Sequence, residues 1–275
     1  MKPATNFSQI GKYLLLTLLT AGFLFPVYVM VISSFKPNVD IFDLKLIPDW
    51  GSLTLDNYVE VFRQERFDRY ILNSLFIAVA VTLLALLFHS MAAYALARLS
   101  FPGRQLLFGW ILSTLMIPFS VTMIPLFIIV KYMGLVNDIW GIIIPSIPNA
   151  FGIFLLRQFY LNMPKDLEES AKIDGATHLQ IYWKIFIPLS VAILVTLAVG
   201  FFLTNWNNYL WPLIVAQNRS LWTVQIAIAN FHKERETLWN LVLAASCITV
   251  LPTVIIFSFL QKYLVEGIKL TGIKS

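Results

Sequence analysis

Cysteine is all but missing: Cys247 is the only one in 275 residues, so no intrachain disulfide is possible. Its place inside an apolar run reads as a small buried hydrophobe. Charge is scarce as well. Asp, Glu, Lys and Arg make up 13% of the chain, about half the usual share of a soluble domain. The scarcity is uneven, because six stretches carry none of the four residues: Tyr13–Phe35, Tyr70–Ala97, Gln105–Val130, Ile139–Leu156, Ile185–Asn218 and Thr237–Gln261. Catalytic patterns are missing too. Gly11-Lys12 lacks the glycine-rich lead of a phosphate-binding loop, and no triad or nucleophile elbow stands out. His89, His178 and His232 form no metal-ligand spacing. The chain reads as no enzyme, with no catalytic residue, no metal and no nucleotide site of its own.

What is present is apolar. Hydrophobic residues make up 58% and the mean hydropathy is +0.75, well above the roughly 45–50% of soluble domains. A helix crossing a bilayer needs about 17–25 mostly apolar residues. The fold class expected is therefore all-α: one polytopic membrane domain over 1–275, with six transmembrane helices near 13–35, 70–97, 105–130, 139–160, 185–214 and 237–261. The first apolar run is longer than the core of a signal peptide and reads as a retained span. Prolines inside the spans, among them Pro118, Pro125, Pro145, Pro148, Pro188, Pro212 and Pro252, predict kinks where protein or a water-filled cavity satisfies the freed backbone groups. A net charge of +5 with pI near 9.3 is spread along the edges of apolar runs rather than drawn into a basic stripe, so nucleic acid is not an expected partner; membrane lipid is.

Basic residues close to span ends set orientation. Arg98 and Arg104 flank one tight turn, and Lys262, Lys269 and Lys274 follow the last run. Both termini are therefore expected in the cytoplasm, which leaves Lys36–Arg69 as an outside loop. Within it Leu55, Tyr58, Val59 and Phe62 follow Thr54 at helical spacing, predicting a short amphipathic helix capped by Thr54.

One charged island interrupts the greasy sequence, from Met163 to Pro188. Its first part predicts a helix over about 166–176. Asp166 is a candidate cap, with Glu169 completing a capping-box-like pair, and Gly175 is the expected left-handed stop. So short a helix requires a surface to hold it.

Glu169-Ser170-Ala171, three residues, Gly175, nine residues and then Ile185-Phe186-Ile187-Pro188 resemble the EAA-x3-G-x9-I-x-L-P signature of permease subunits in bacterial ATP-binding-cassette importers. The departures are Ser170 for Ala and Ile187 for Leu. Ser33-Ser34-Phe35-Lys36, Asn73-Ser74, Ala93-Tyr94-Ala95-Leu96-Ala97-Arg98, Phe101-Pro102-Gly103-Arg104 and Trp206-Asn207-Asn208-Tyr209-Leu210-Trp211-Pro212-Leu213 look like the maltose-type, carbohydrate-uptake branch. The resemblance implies a multi-pass protein of the bacterial cytoplasmic (inner) membrane, assembled with a second permease, an ATPase homodimer that binds ATP and Mg, and an extracytoplasmic solute-binding protein. It also implies that the island is a coupling helix docking on the ATPase. Glu169 would be the acidic contact, Ala171 the small residue of a close approach and Gly175 the turn, with Glu168, Ser170 and Asp174 beside them.

The fifth uncharged run is longer than one span needs and is rich in amides and aromatics. Asn205, Asn208 and Tyr209 stand at i, i+3 and i+4, which predicts one helical face. With Trp206 they are the expected substrate pathway, since amides bond sugar hydroxyls and aromatic rings cover sugar faces. The same groups also suit contacts between helices. The expected function is import of a sugar or oligosaccharide. The competing readings are an ion-coupled secondary carrier and an importer of a polyol or glycerol phosphate ester. No charged residue lies in the middle of a span, which disfavours ion coupling.

Overall fold

The computed structural model describes residues 7–38, 41, 51–231 and 237–272; His232 and Lys274 lie outside the described residues. Helices follow one another as α1 Phe7–Ser34, α2 Asp56–Glu65, α3 Phe67–Arg98, α4 Arg104–Ser113, α5 Phe119–Tyr132, α6 Ile139–Ser146, α7 Ala150–Leu161 and α8 Asp166–Ile173. They continue as α9 His178–Ile181, α10 Ile187–Leu189, α11 Val191–Trp206, α12 Leu210–Val215, α13 Val224–Asn230 and α14 Trp239–Gly272. The all-α expectation holds.

Three segments, Gln9–Ser34, Phe67–Arg98 and Trp239–Lys262, are long and apolar enough to cross a membrane as single helices. Three bent pairs pass the same test together: Arg104–Met116 with Phe119–Tyr132 at 107°, Ile139–Ser146 with Ala150–Leu161 at 42°, and His178–Leu189 with Val191–Trp206 at 77°. The chain thus has up to six spans, and half of them are broken.

Each break has a local cause. Pro118 pushes Ile117 into an extended conformation (φ −96°, ψ 114°), as the residue before a proline prefers, and α4 cannot run on into α5. Pro148 precedes Asn149, which is extended (φ −146°) and starts α7 by accepting from the Gly152 N–H through its side chain. Pro188 has no N–H for the carbonyl one turn back, and residues 182–186 widen into a π turn. The Ser190 hydroxyl then donates to the Phe186 carbonyl, a group the broken ladder leaves over.

The chain divides into two compact units, residues 1–68 with 227–251, and residues 69–226 with 252–275. In the first unit Asn57, buried on α2, donates to the carbonyls of Ser34 and Lys36, each at 2.8 Å, and accepts from Asn240 Nδ2 at 2.8 Å. Tyr58 meets the Ser34 hydroxyl at 2.6 Å and stacks obliquely on Phe35. The inward face of α2 is therefore Asn57, Tyr58 and Val61, while Leu55 and Val59 are exposed. This departs from the face expected from apolar spacing alone, because a buried amide with three partners fixes the helix's rotation more strongly than two aliphatic side chains. Leu55, not Thr54, takes the cap position; the Thr54 hydroxyl accepts from the Asp56 N–H.

The second unit has two apolar centres. One gathers Tyr94, Leu156, Tyr160, Tyr182, Phe186 and Phe201 with smaller neighbours from α3 and α11. The other gathers Ile77, Val81, Val130, Ile142, Ile143, Trp211 and Val215.

Candidate functional site

Two features of the second unit carry the chemistry singled out above: the charged helix α8 and a cleft among the broken spans.

α8 starts after Pro164, with the Lys165 carbonyl accepting from the N–H groups of Glu168 and Glu169 at 2.9 and 3.0 Å. Lys165 is the cap residue and supplies no side-chain bond. Asp166 is therefore the first helical residue and not the cap, and the expected pairing of Asp166 with Glu169 is not made. Three carboxylates in the first turn, Asp166, Glu168 and Glu169, favour the positive end of the helix dipole instead. The capping box of the island lies one helix further on, where Thr177 and Gln180 bond reciprocally at the start of α9. Gly175 is the left-handed stop as expected (φ +80°), and the Ala176 N–H closes back on the Ala171 carbonyl at 2.9 Å.

The residues expected on one docking surface separate into two faces. Glu168 is 6% exposed and is held by Lys172 Nζ at 2.7 Å and Arg98 Nη1 at 4.0 Å. Ala171 is half-buried and packs on the apolar centre of its own chain. Glu169, Ser170 and Asp174 are exposed, and Glu169 forms no ion pair among the described residues. Two apolar side chains join this outer face, Leu167 and Ile173, the latter 87% exposed. The signal for Ile173 in the sequence is a large aliphatic residue in a short, otherwise charge-rich helix, next to Lys172 and Asp174.

The cleft has a volume of about 610 Å³. Its walls are the break between α6 and α7 (Pro145 to Asn149), the segment Thr204 to Trp211, and residues of α3 and α5. Non-helical backbone at membrane depth is tolerated where it borders a cavity, and here two such breaks face the same one. Asn205, Asn208 and Tyr209 all line it. They do so without sharing a helical face, since α11 ends at Trp206 and Asn208 and Tyr209 lie in the following break. Consecutive asparagines favour leaving a helix because their side chains compete for the backbone. Asn205 Nδ2 donates to the Phe201 carbonyl at 2.8 Å, and Asn208 Oδ1 accepts from the Trp211 N–H at 3.4 Å. Trp206 is placed elsewhere: it is buried, stacked on Phe202 at 5.8 Å, and is not among the lining residues.

Asn149 and Trp211 were not among the expected pathway residues, and both line the cleft. The Asn149 N–H donates to His89 Nε2 at 3.1 Å, which holds the start of α7 against α3. Trp211 is buried, with its indole N–H unpartnered among the described residues. Among the described residues, no Asp, Glu, Lys or Arg lines the cleft.

Residues 85–270 match the family described as Binding-protein-dependent transport system inner membrane component. The chain is 36% identical over 267 residues to the arabinooligosaccharides transport system permease protein of Halalkalibacterium halodurans, covering 94% of this chain and 96% of that protein. It is 35% identical over 262 residues to the trehalose transport system permease protein of Mycobacterium tuberculosis, covering 94% and 95%. Its fold superposes with a TM-score of 0.80 and 24% identity on a chain from the crystal structure of a bacterial ABC transporter involved in the import of the acidic polysaccharide alginate, over 96% of this chain and 100% of that one. The matched residues contain α8 and the whole amide-bearing wall of the cleft. The chain is a multi-pass membrane protein and belongs to the family of binding-protein-dependent transport system inner membrane components.

Proposed function

We propose that this chain is the six-span permease subunit of an ATP-driven importer that carries a neutral sugar or oligosaccharide into the cytoplasm. The observation that carries the substrate class is the cleft: amides and aromatic rings, with no Asp, Glu, Lys or Arg among the described residues that line it. Hydroxyl groups are satisfied by Asn149, Asn205 and Asn208, and sugar ring faces pack on Tyr209, which is exposed to the cleft. A phosphate ester would leave its charge unpaired there. Relatives named for arabinooligosaccharides, trehalose and lactose support the same class, whereas a relative named for sn-glycerol-3-phosphate is 32% identical.

The outer face of α8 docks on an ATPase homodimer, where Glu169 meets a basic group in a charge-assisted bond and Ile173 and Leu167 fill an apolar recess. ATP and Mg are held by that partner. A second permease completes the pathway, and an extracytoplasmic solute-binding protein delivers the sugar. Both termini lie in the cytoplasm of a bacterial cell. Among the described residues no Asp, Glu, Lys or Arg lies in the middle of a span, and the driving force enters through α8.

The substrate reading is tested by replacing Asn205 and Asn208 together with Ala in the assembled importer. Sugar uptake is expected to fall while the complex purifies at native yield. Native uptake by the double variant would overturn the assignment of the cleft.

A further inference from the structure

Arg98 stands at the last position of α3, with its side chain almost wholly buried. Its Nη2 donates to the carbonyls of Tyr160 and Met163, both at 2.6 Å, which are groups at and just beyond the end of α7. Its Nη1 faces Glu168 of α8 at 4.0 Å, and its guanidinium lies over the Phe186 ring at 5.1 Å. One side chain therefore joins α3, α7, α8 and the π turn. At the other end of α7, His89, also on α3, accepts from the Asn149 N–H at 3.1 Å, and Asn149 lines the cleft. α3 thus grips α7 at both ends, and the grip nearer α8 includes the docking helix.

We propose that Arg98 is a positioning residue that, through Glu168, makes α8, α7 and the cleft wall at Asn149 move as one body. A displacement imposed on the outer face of α8 then reaches the cleft instead of being taken up by the residues between α7 and α8. Helices transmit such displacements as rigid elements when their junctions have one arrangement. A buried guanidinium with two carbonyls and a carboxylate supplies that arrangement, since each contact constrains the others. Lys172 cannot replace it: it pairs with Glu168 from the same helix, one turn away, and so links α8 only to itself. The inference rests on the reading that α8 receives the ATPase.

The test uses the complete importer reconstituted in vesicles and measures ATP hydrolysed per sugar imported. Glu168→Gln keeps the side chain's shape and removes its charge. It is expected to assemble at native yield and to raise that ratio about tenfold, the factor that about 1.4 kcal/mol from one buried ion pair would give. Arg98→Gln is expected to raise it at least as far, and Arg98→Lys to restore part of the coupling. A native ratio in Glu168→Gln overturns the proposal, as does loss of assembly in Glu168→Gln with a native ratio in whatever complex forms. Glu169→Ala separates the two readings. If it leaves ATPase association unchanged, the docking reading fails; if it weakens association while Glu168→Gln stays fully coupled, only the role of Arg98 fails.

Discussion

Glu168 and Glu169 are adjacent on α8 and meet different surroundings: the first is buried 2.7 Å from Lys172 and 4.0 Å from Arg98, while the second is exposed. Two carboxylates that the sequence presents as equivalent are thereby given separate work. Glu168 ties the helix to its own chain, and Glu169 stays exposed, the carboxylate proposed above to meet the ATPase.

The outer face is checked by association. Glu169→Ala and Ile173→Asp, made separately, are each expected to weaken co-purification of the ATPase by roughly 1–3 kcal/mol, the cost of one charged contact or of a desolvated carboxylate at an interface. Membrane insertion and thermal stability of the permease should stay native, because neither side chain is buried within it.

Gly175 holds φ at +80° with open space where a Cβ would stand. Replacing it by Ala meets no clash, and the cost is conformational alone, about 1–2 kcal/mol. The expected result is a complex that assembles but hydrolyses ATP more slowly in the presence of sugar and binding protein, since the angle between α8 and α9 is altered. Native hydrolysis by Gly175→Ala would show that this turn does not set the docking geometry.

Gly152, in α7, behaves differently. A Cβ there would stand 2.6 Å from Phe201 and 2.8 Å from His89, between the grip on Asn149 and the cleft. Gly152→Ala should destabilise by about 1–3 kcal/mol through overpacking, read as a lowered thermal midpoint in detergent, and should depress sugar uptake. An unchanged midpoint would mean that α3, α7 and α11 can separate at no cost.

Tyr58 lies outside the spans, and burial pushes its phenol above the ordinary value of 10.0, with the Ser34 hydroxyl opposing the rise. The folded state therefore keeps the proton under conditions where the unfolded chain loses it. This contribution to stability is complete below the ordinary phenol range and is lost as pH rises through and past it. The thermal midpoint should fall above about pH 10, and Tyr58→Phe should fall less steeply, starting from a midpoint lowered by the missing bond to Ser34. An identical pH profile in the two proteins would contradict the burial of this group.

Much of the fold was readable because membrane spans announce themselves by composition. The uncharged runs overlap the three long helices and three bent pairs; Pro118, Pro148 and Pro188 lie at the breaks, whereas Pro125, Pro145 and Pro252 stand inside helices. Helix rotation was not readable: Leu55 and Val59 turned outward because Asn57 has three buried partners, an arrangement set by residues more than twenty positions away and by Asn240. The cleft was half readable. Asn205, Asn208 and Tyr209 stood out as amides and an aromatic in a greasy run, yet they meet through a helix end instead of a helix face. Asn149 carried no signal of its own, since its role follows from His89, sixty positions earlier. The inward turn of Glu168 likewise depends on Arg98, far away in sequence, and no local pattern distinguishes it from Glu169.

The central claim is that this chain carries sugar only when driven through α8. The direct measurement is uptake of a labelled neutral oligosaccharide into vesicles, made once with the complete importer and once with this chain alone under a proton or sodium gradient. The account predicts ATP-dependent uptake by the complete importer that Glu169→Ala lowers, and no uptake by the chain alone. Gradient-driven uptake by the chain alone, or full ATP-driven uptake with Glu169→Ala, would contradict it.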